Sequence, residues 1–247
     1  MKAIAKVRPA PGVEIVEVPE PAVRPGCVKL KLEAASVCGT DLHIYQWDAW
    51  SASRIKPPRI IGHEFCGTIV EVGEGVSERK VGDFVASESH IVPRTSEYLK
   101  RGLGHVAPET SILGVDVDGG FATYTVIPED NARLTARSVP TKIAAFQDAL
   151  GNAVHTVMDG PVAGQTILIT GMGPIGLFAV TICKALGAEK VIVTEVSPYR
   201  IGLAEAVGAD VILNPTKDDV ASELRRIAPQ GVDGTLEMSG HPSSMDL

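Results

Sequence analysis

The sequence of 247 residues is poor in cysteine and in aromatic residues, and it has no excess of positive charge. Its four cysteines include no C-x-x-C pair, which excludes a zinc knuckle made of four cysteines. The 30 acidic residues outnumber the 23 basic ones, so the formal charge is −7. Because basic side chains supply most non-specific affinity for phosphate backbones and anionic lipids, we expect neither nucleic acid nor a membrane as a partner.

Targeting and membrane segments are also missing. The start, MKAIAKVRPAPG, is too polar and too interrupted to be the apolar part of a signal peptide, which favours a cytoplasmic protein with reduced thiols. Residues 160–183 carry no charge, and about 20 such residues suffice for a membrane helix. Glycines and prolines interrupt this run throughout, so we expect a strand, a turn and a helix there instead.

The first part of the chain consists of short apolar runs divided by glycine and proline. In residues 28–34, apolar side chains alternate with lysine and glutamate, which is the period of a strand with one face in water. Similar runs occur at residues 65–72, 81–86 and 121–127. The pattern predicts a mostly β domain over residues 1–145.

From about Pro140 the pattern changes to strands and helices in alternation. The predicted elements are strands at 167–170, 190–195, 211–213 and 235–238, and helices at 174–186, 198–207 and 217–227. Strands that are apolar on both faces, with helices between them, predict a parallel sheet covered on both sides. We therefore expect a doubly wound α/β domain over residues 146–247. It holds the first four of six strands, so the chain is expected to be truncated or incomplete at its C-terminus.

A glycine-rich turn joins the first strand and first helix of this second domain. Gly171-Met-Gly173-Pro-Ile175-Gly176 has the G-x-G-x-x-G spacing of a dinucleotide-binding turn. Gly171 permits the tight turn, Gly173 lets the backbone approach a pyrophosphate, and Gly176 lets the helix lie close to the strand. The residues assigned to cofactor binding here are Gly171, Gly173, Ile175 and Gly176.

Glu195 follows about 20 residues later, at the end of the second strand. A carboxylate there accepts a hydrogen bond from the ribose 2′-hydroxyl and repels a 2′-phosphate, which favours NAD over NADP. A nearby arginine can instead accommodate that phosphate, so Arg200 keeps NADP open. We interpret Arg200 as a contact to the adenosine ribose.

Two motifs in the first domain are rich in metal-ligating side chains: CGTDLH at residues 38–43 and GHEFCG at residues 62–67. Zinc takes thiolate, imidazole and carboxylate ligands in tetrahedral geometry, and catalytic sites keep one position open. His63 and Glu64 would point to opposite faces of a regular strand, so Glu64 needs a bend to share a metal with His63. A buried thiol and a core histidine without metal are the alternative.

Both motifs resemble those of the zinc-dependent medium-chain dehydrogenase/reductase family. GHE, two residues, Gly, five residues, Gly, two residues and a small apolar residue match the family's zinc signature, and CGTDLH matches its first-ligand segment. The resemblance spans essentially the whole chain. It implies a GroES-like β-rich catalytic domain, a Rossmann domain that binds NAD, and one catalytic zinc. The implied zinc ligands are Cys38, His63 and Glu64.

The same resemblance implies catalytic residues around the metal. Thr40 and His43 resemble the family's proton-relay pair, in which a hydroxyl passes the proton and an imidazole delivers it to solvent. Asp148 falls where relatives carry a glutamate near the metal, although it also suits the first turn of a helix. His90 resembles a residue associated with amino-alcohol recognition, and a surface histidine is its alternative.

Within the family, residues 41–50, 87–92 and 151–156 resemble the branch that oxidises the 3-hydroxyl of L-threonine to 2-amino-3-ketobutyrate. The resemblance also implies a small-molecule substrate and, at full length, a homotetramer. Two alternatives stay open: a zinc-dependent polyol or butanediol dehydrogenase, and a truncated relative that kept the fold and lost the activity.

The chain departs from the family after residue 92. Relatives place four cysteines in the next lobe to bind a structural zinc. The positions here that match those cysteines are Pro93, Ser96, Leu99 and Ala107. Because none offers a thiolate, we expect one catalytic zinc per chain and no structural zinc.

Overall fold

The computed structural model describes residues 1–242 and Ser244, and the chain forms two compact units, Met1–Asp148 and Ala149–Leu247. Ser243 and residues 245–247, where the chain was expected to stop after its fourth strand, lie outside the described residues. Among the described residues, no helix combines the length and apolar character that crossing a bilayer requires.

The first unit is rich in short strands, as the alternating runs predict. Its strands are β1 (Lys2–Lys6), β2 (Glu14–Glu17), β3 (Cys27–Ala35), β4 (Arg59–Ile60), β5 (Phe65–Val72), β6 (Phe84–Ser87), β7 (His90–Ile91), β8 (Ser111–Ile112), β9 (Tyr124–Pro128) and β10 (Ala132–Leu134). The helices that begin in this unit are α1 (Gly39–Gln46), α2 (Ala49–Arg54), α3 (Glu97–Lys100), α4 (Thr141–Ala144) and α5 (Gln147–Val157).

The main sheet of this unit is antiparallel, with strand order β10-β6-β5-β3-β9. Smaller sheets have the orders β2-β1-β4 and β7-β8. Alternate residues of the central strands, such as Val28 and Leu30 of β3, are fully buried with Phe65 and Ile69 of β5. The apolar residues of the period-2 pattern therefore form a buried sheet face. The expected water-exposed face holds at Lys31 and Glu33 but not at Lys29, which is buried and pairs with Glu20.

Strand β6 begins later than the expected start at residue 81. Gly82 has a φ of +94°, and the carboxylate of Asp83 accepts the backbone N–H of Lys80 at 3.0 Å. These features close a turn, so the extended strand begins at Phe84.

The second unit alternates strands and helices. Its elements are β11 (Thr166–Thr170), α6 (Pro174–Ala185), β12 (Lys190–Thr194), α7 (Pro198–Ala206), β13 (Val211–Leu213), α8 (Val220–Ile227) and β14 (Gly234–Glu237). The four strands are parallel in the order β13-β12-β11-β14, which is the order of the first four strands of a doubly wound dinucleotide fold. The charge-free run of residues 160–183 forms β11 of this sheet and most of α6, as the sequence predicts.

Helix α8 is shorter than the expected span from residue 217. The carboxylate of Asp219 accepts the backbone N–H of Ser222 at 3.0 Å, which caps the helix at Val220. The N–H groups of Lys217 and Asp218 instead bond to the carbonyl of Asn214 at 2.8 Å. The residues before the cap therefore form a turn.

Candidate functional site

The three expected metal ligands come from two chain segments that lie side by side. Cys38 follows β3 and occupies the N-cap of α1, whereas His63 and Glu64 precede β5. Strands β3 and β5 are antiparallel neighbours that pair Ala35 with Phe65. One ligand atom from each of the three side chains lies within 4.8 Å of the other two.

The backbone around His63 is not a regular strand, which resolves the objection that adjacent side chains point to opposite faces. Gly62 has a φ of +88°, and a Cβ at this position would lie 2.2 Å from the Phe121 ring. Glycine is thus required here both by conformation and by space. The bend lets His63 and Glu64 reach the same place, and both are buried.

The donor set fits zinc. His63 is only 6% exposed, and within residues 1–242 and Ser244 its buried Nδ1 has no hydrogen-bond partner. Leaving such an atom unsatisfied costs about 1–3 kcal/mol, so the site is incomplete without a further partner. Burial acts to lower the pKa of His63, but Cys38 and two nearby aspartates outweigh it and raise the pKa to about 9. The site therefore carries the negative potential that a cation requires.

Two supporting residues were missed by the sequence reasoning. Asp41 is buried, and its Oδ2 accepts the backbone N–H of Cys38 at 2.9 Å. Burial raises the pKa of Asp41. Ser36 donates its hydroxyl to the Glu64 carboxylate and its backbone N–H to the Glu64 carbonyl at 3.0 Å. The position of Asp41 three residues after the N-cap was a readable signal, whereas Ser36 has a partner far away in the sequence.

The expected relay residues lie on α1. Thr40 Oγ1 is 3.7 Å from Cys38 Sγ, so this hydroxyl is adjacent to a candidate ligand. His43 lies three residues further, on the same side of the helix, with 58% of its side chain exposed. Its Nδ1 is 2.5 Å from Oδ2 of Asp48.

His90 and Asp148 belong to a second cluster. Together with Glu88 they place ligand atoms within 4.8 Å of one another. His90 Nδ1 lies 3.3 Å from Glu88 Oε1, and Asp148 accepts the backbone N–H of Ser89 at 3.2 Å. The bond to Glu88 raises the pKa of His90 although burial opposes it. Asp148 also occupies the first turn of α5, and it lies in this second cluster and not in the cluster of Cys38, His63 and Glu64.

Glu88 was missed by the sequence reasoning. It precedes His90 by two residues, the spacing that places side chains on one face of an extended segment. That spacing was the available signal.

The glycine turn follows β11 as expected. Gly171 has a φ of +83°, and a Cβ there would lie 2.6 Å from Ser239 Cα. A Cβ at Gly176 would lie 2.0 Å from the Gly171 carbonyl oxygen. Gly173 has a negative φ and no atom within 4 Å of its Cβ position, so the fold does not require glycine there. Open space at Gly173 fits the approach of a nucleotide pyrophosphate. Ile175 is half-buried in the first turn of α6.

Glu195 lies just after β12 and is 6% exposed. Three backbone N–H groups donate to its carboxylate at 2.8–2.9 Å, those of Met172, Val196 and Ser197. Burial acts to raise its pKa, but these donors and Arg200 hold it below its ordinary value. A carboxylate has about four acceptor positions, so one remains for a ribose hydroxyl. Arg200 lies 3.8 Å from the same carboxylate and is half-exposed.

The lobe expected to lack a structural zinc is held by other contacts. Ser96 is buried and accepts the backbone N–H of Leu99 at 3.5 Å, at the start of α3. Ala107 is also buried. Arg94 donates two hydrogen bonds to Asp130, at 2.6 and 2.7 Å, which connect the lobe to the segment before β10.

Comparison with known proteins covers both units. Residues 24–137 match the family model for the alcohol dehydrogenase GroES-like domain, and residues 174–247 match that for zinc-binding dehydrogenases. The L-threonine 3-dehydrogenase of Pyrococcus abyssi is 49% identical over 247 residues, which are all of this chain and 71% of that protein. The chain belongs to the zinc-dependent medium-chain dehydrogenase family. This confirms the family resemblance, and the protein is an alcohol-type dehydrogenase.

Solved structures agree with this membership. A structure described as a short chain alcohol dehydrogenase from Escherichia coli CFT073, complexed with NADH, is 31% identical with a TM-score of 0.90. The match spans 99% of this chain and 71% of that protein. A putative zinc-binding dehydrogenase from Sinorhizobium meliloti 1021, bound to NADP, is 30% identical with a TM-score of 0.88, and the coverage is the same. The GroES-like and Rossmann fold class expected for this dehydrogenase is thereby confirmed.

Proposed function

We propose that this dehydrogenase oxidises the secondary hydroxyl of L-threonine to 2-amino-3-ketobutyrate, with NAD as the acceptor. The observation that carries the proposal is the convergence of Cys38, His63 and Glu64 within 4.8 Å, with the buried Nδ1 of His63 lacking a partner among the described residues. The identity of 49% to an L-threonine 3-dehydrogenase supports the choice of substrate.

Cys38, His63 and Glu64 would hold the catalytic zinc. A zinc ion there supplies a Lewis acid that makes the substrate hydroxyl more acidic. Thr40 accepts the hydroxyl proton as it passes its own proton to His43, which lies one turn further along α1, is exposed and delivers a proton to water. The carbon that carries the hydroxyl transfers its hydride, with two electrons, to NAD and forms NADH. The hydroxyl proton leaves separately through the relay, so the reaction yields the ketone, NADH and one proton.

The cluster of Glu88, His90 and Asp148 suits the polar end of an amino acid. Carboxylates accept strong charge-assisted hydrogen bonds from an ammonium group, and the raised pKa of His90 favours a cation that attracts a carboxylate. These three side chains are the ones we assign to substrate recognition.

The nucleotide would bind at the turn formed by Gly171, Gly173, Ile175 and Gly176. The ionised carboxylate of Glu195, with its remaining acceptor position, supports NAD over NADP, and Arg200 is assigned to the adenosine ribose. We further propose a single zinc per chain. At full length we propose a homotetramer, and light scattering after gel filtration would test this oligomeric state.

The test follows NADH formation by the zinc-loaded protein with L-threonine, 2,3-butanediol and sorbitol as separate substrates. We expect activity with L-threonine that Cys38→Ser abolishes. Cys66→Ser is the matched control, because the buried thiol of Cys66 bonds to the carbonyl of Thr141 and a serine hydroxyl can do the same. Turnover of the diol or polyol without turnover of threonine would replace the proposed substrate. Zinc and NADH binding without any turnover would indicate a relative that kept the fold and lost the reaction.

A further inference from the structure

Asp48 lies between α1 and α2 and contacts both. Its Oδ1 accepts the backbone N–H of Ser51 at 2.9 Å and so caps α2. Its Oδ2 is 2.5 Å from Nδ1 of His43 on α1. The His43 ring also meets the Trp50 ring edge-on, with centroids 6.1 Å apart. The imidazole is therefore held from two sides although most of it is exposed.

The chemistry of this contact determines where the ring proton sits. The N–H of Ser51 and the bond from His43 keep the pKa of Asp48 below its ordinary value, so the side chain is an ionised carboxylate that only accepts hydrogen bonds. In a neutral imidazole, the hydrogen bond made by one nitrogen sets the protonation of the other. Nδ1 must therefore donate, and Nε2 is left unprotonated. Among the described residues, Nε2 of His43 makes no hydrogen bond.

We propose that Asp48 is a positioning residue that fixes His43 in the Nδ1-protonated tautomer and leaves Nε2 to take up the proton from Thr40. The part concerning proton transfer rests on the proposed function. The tautomer does not, since it follows from the contact between His43 and Asp48 alone.

The two oxygens of Asp48 have separable roles, which provides matched variants. Asp48→Asn keeps an oxygen for the cap, because asparagine is as good an N-cap residue as aspartate. Its NH₂ group then faces Nδ1 of His43 and donates to it, which moves the ring proton to Nε2. Asp48→Ser also caps α2, but its hydroxyl is too short to replace the carboxylate at the ring.

The experiment records two-bond ¹H–¹⁵N correlations of histidine rings in the full chain, labelled with ¹⁵N-histidine, in alkaline buffer. The chain has six histidines, and the signals of His43 are assigned by their loss in His43→Gln. We expect Nδ1 to be protonated in the unmodified protein, Nε2 to be protonated in Asp48→Asn, and a mixture of both forms in Asp48→Ser. A wild-type ring protonated on Nε2, or one tautomer common to all three proteins, would overturn the proposal.

Kinetics then test the relay. We expect Asp48→Asn to lower kcat with L-threonine by about 10²- to 10⁴-fold, the usual contribution of a positioned general acid or base, with KM nearly unchanged. A reversed tautomer with unchanged kcat would remove Asp48 from the reaction. If the unmodified protein oxidises no alcohol, the proposed function fails, while the ring spectra still decide the role of Asp48.

Discussion

At the scale of single residues, the buried carboxylate of Glu129 holds the loop between β5 and β6. It is 2% exposed, and its Oε1 accepts the backbone N–H groups of Ser77, Glu78 and Arg79 at 2.9, 2.5 and 3.1 Å. Burial acts to raise the pKa of Glu129, but these donors and Arg94 outweigh it and hold the pKa below its ordinary value. The loop between β5 and β6 therefore depends on an ionised side chain.

We predict that Glu129→Gln lowers the free energy of unfolding by about 1.5–3 kcal/mol near neutral pH, the usual contribution of hydrogen bonds to a charged group. Because the pKa of Glu129 is lower in the folded than in the unfolded chain, its stabilisation is complete above about pH 5. It declines as the pH falls through the unfolded value of ~4.3 and then the lower folded value. The difference in the free energy of unfolding between wild type and Glu129→Gln should therefore become smaller at acid pH.

Urea unfolding at about pH 7 and about pH 4 measures this difference. Glu78→Gln is the matched control, since the Glu78 side chain is 76% exposed and should contribute little. A difference between wild type and Glu129→Gln that stays constant down to acid pH would contradict the assignment.

How far the candidate site could be read from the sequence also depends on single residues. Cys38, His63 and Glu64 stand in recognisable motifs, and the structure brings them together. Ser36 could not be found, because its bond to Glu64 exists only once β3 and β5 pair. Roles for all of these residues stay predictions until metal binding is measured.

At the level of elements, two glycines of the glycine-rich turn have different roles: the fold requires glycine at position 176, whereas glycine at position 173 leaves room for a ligand. We predict that Gly176→Ala lowers the thermal midpoint by several degrees, because its Cβ would lie 2.0 Å from the Gly171 carbonyl oxygen. Gly173→Ala should leave the midpoint within about a degree, because nothing lies within 4 Å of that Cβ.

The affinity for NADH should change in Gly173→Ala although the thermal midpoint of this variant does not. Gly173→Ala should weaken NADH binding at least about tenfold, because its methyl group would stand where the pyrophosphate approaches the backbone. Thermal melts and NADH fluorescence titrations of both variants provide the measurements. Unchanged NADH affinity in Gly173→Ala would mean that the nucleotide does not approach this position.

Elements differ in how well the sequence predicts them. Helix α6 was expected at 174–186 and ends one residue earlier. It could be predicted this closely because Pro174 is typical of a first helical residue and Gly187, with a φ of +81°, is typical of the residue after a helix. Helix α1 was not expected. It is eight residues long, and Trp47, the residue that follows its last one, takes a φ of 60° where glycine is usual.

The surroundings of Trp47 explain why that helix end cannot be read locally. The ammonium group of Lys6 lies 5.0 Å from the Trp47 ring centroid and donates to the carbonyls of Ala10 and Gly12 at 2.6 and 2.7 Å. Lys6 is only 1% exposed, whereas a lysine is normally predicted to lie at the solvent-exposed surface. Its partners come from a loop and a helix that only the folded chain brings to β1.

For the whole molecule, the cysteine count limits the metal content. We predict one zinc per chain, bound by Cys38, His63 and Glu64, and no second zinc in the lobe at residues 93–107. Elemental analysis after exhaustive dialysis should give a ratio near one that drops to near zero in Cys38→Ser, while Cys66→Ser keeps its zinc. The buried thiol of Cys66 has its pKa raised to about 11 by burial, so it does not supply a thiolate. A ratio of two in the wild type would contradict this prediction.

The bend at Gly62 has a consequence for the unfolding of the chain. An ion shared by Cys38 and His63 cross-links positions about 25 residues apart, and so closes a loop that contains α1, α2 and β4. If such a cross-link resembles a disulfide, restricting the denatured ensemble in this way stabilises the fold by about 3.5 kcal/mol. Chelation should then act on this loop as reduction acts on a disulfide, and proteases should cut between residues 38 and 63 before they cut elsewhere in the first unit.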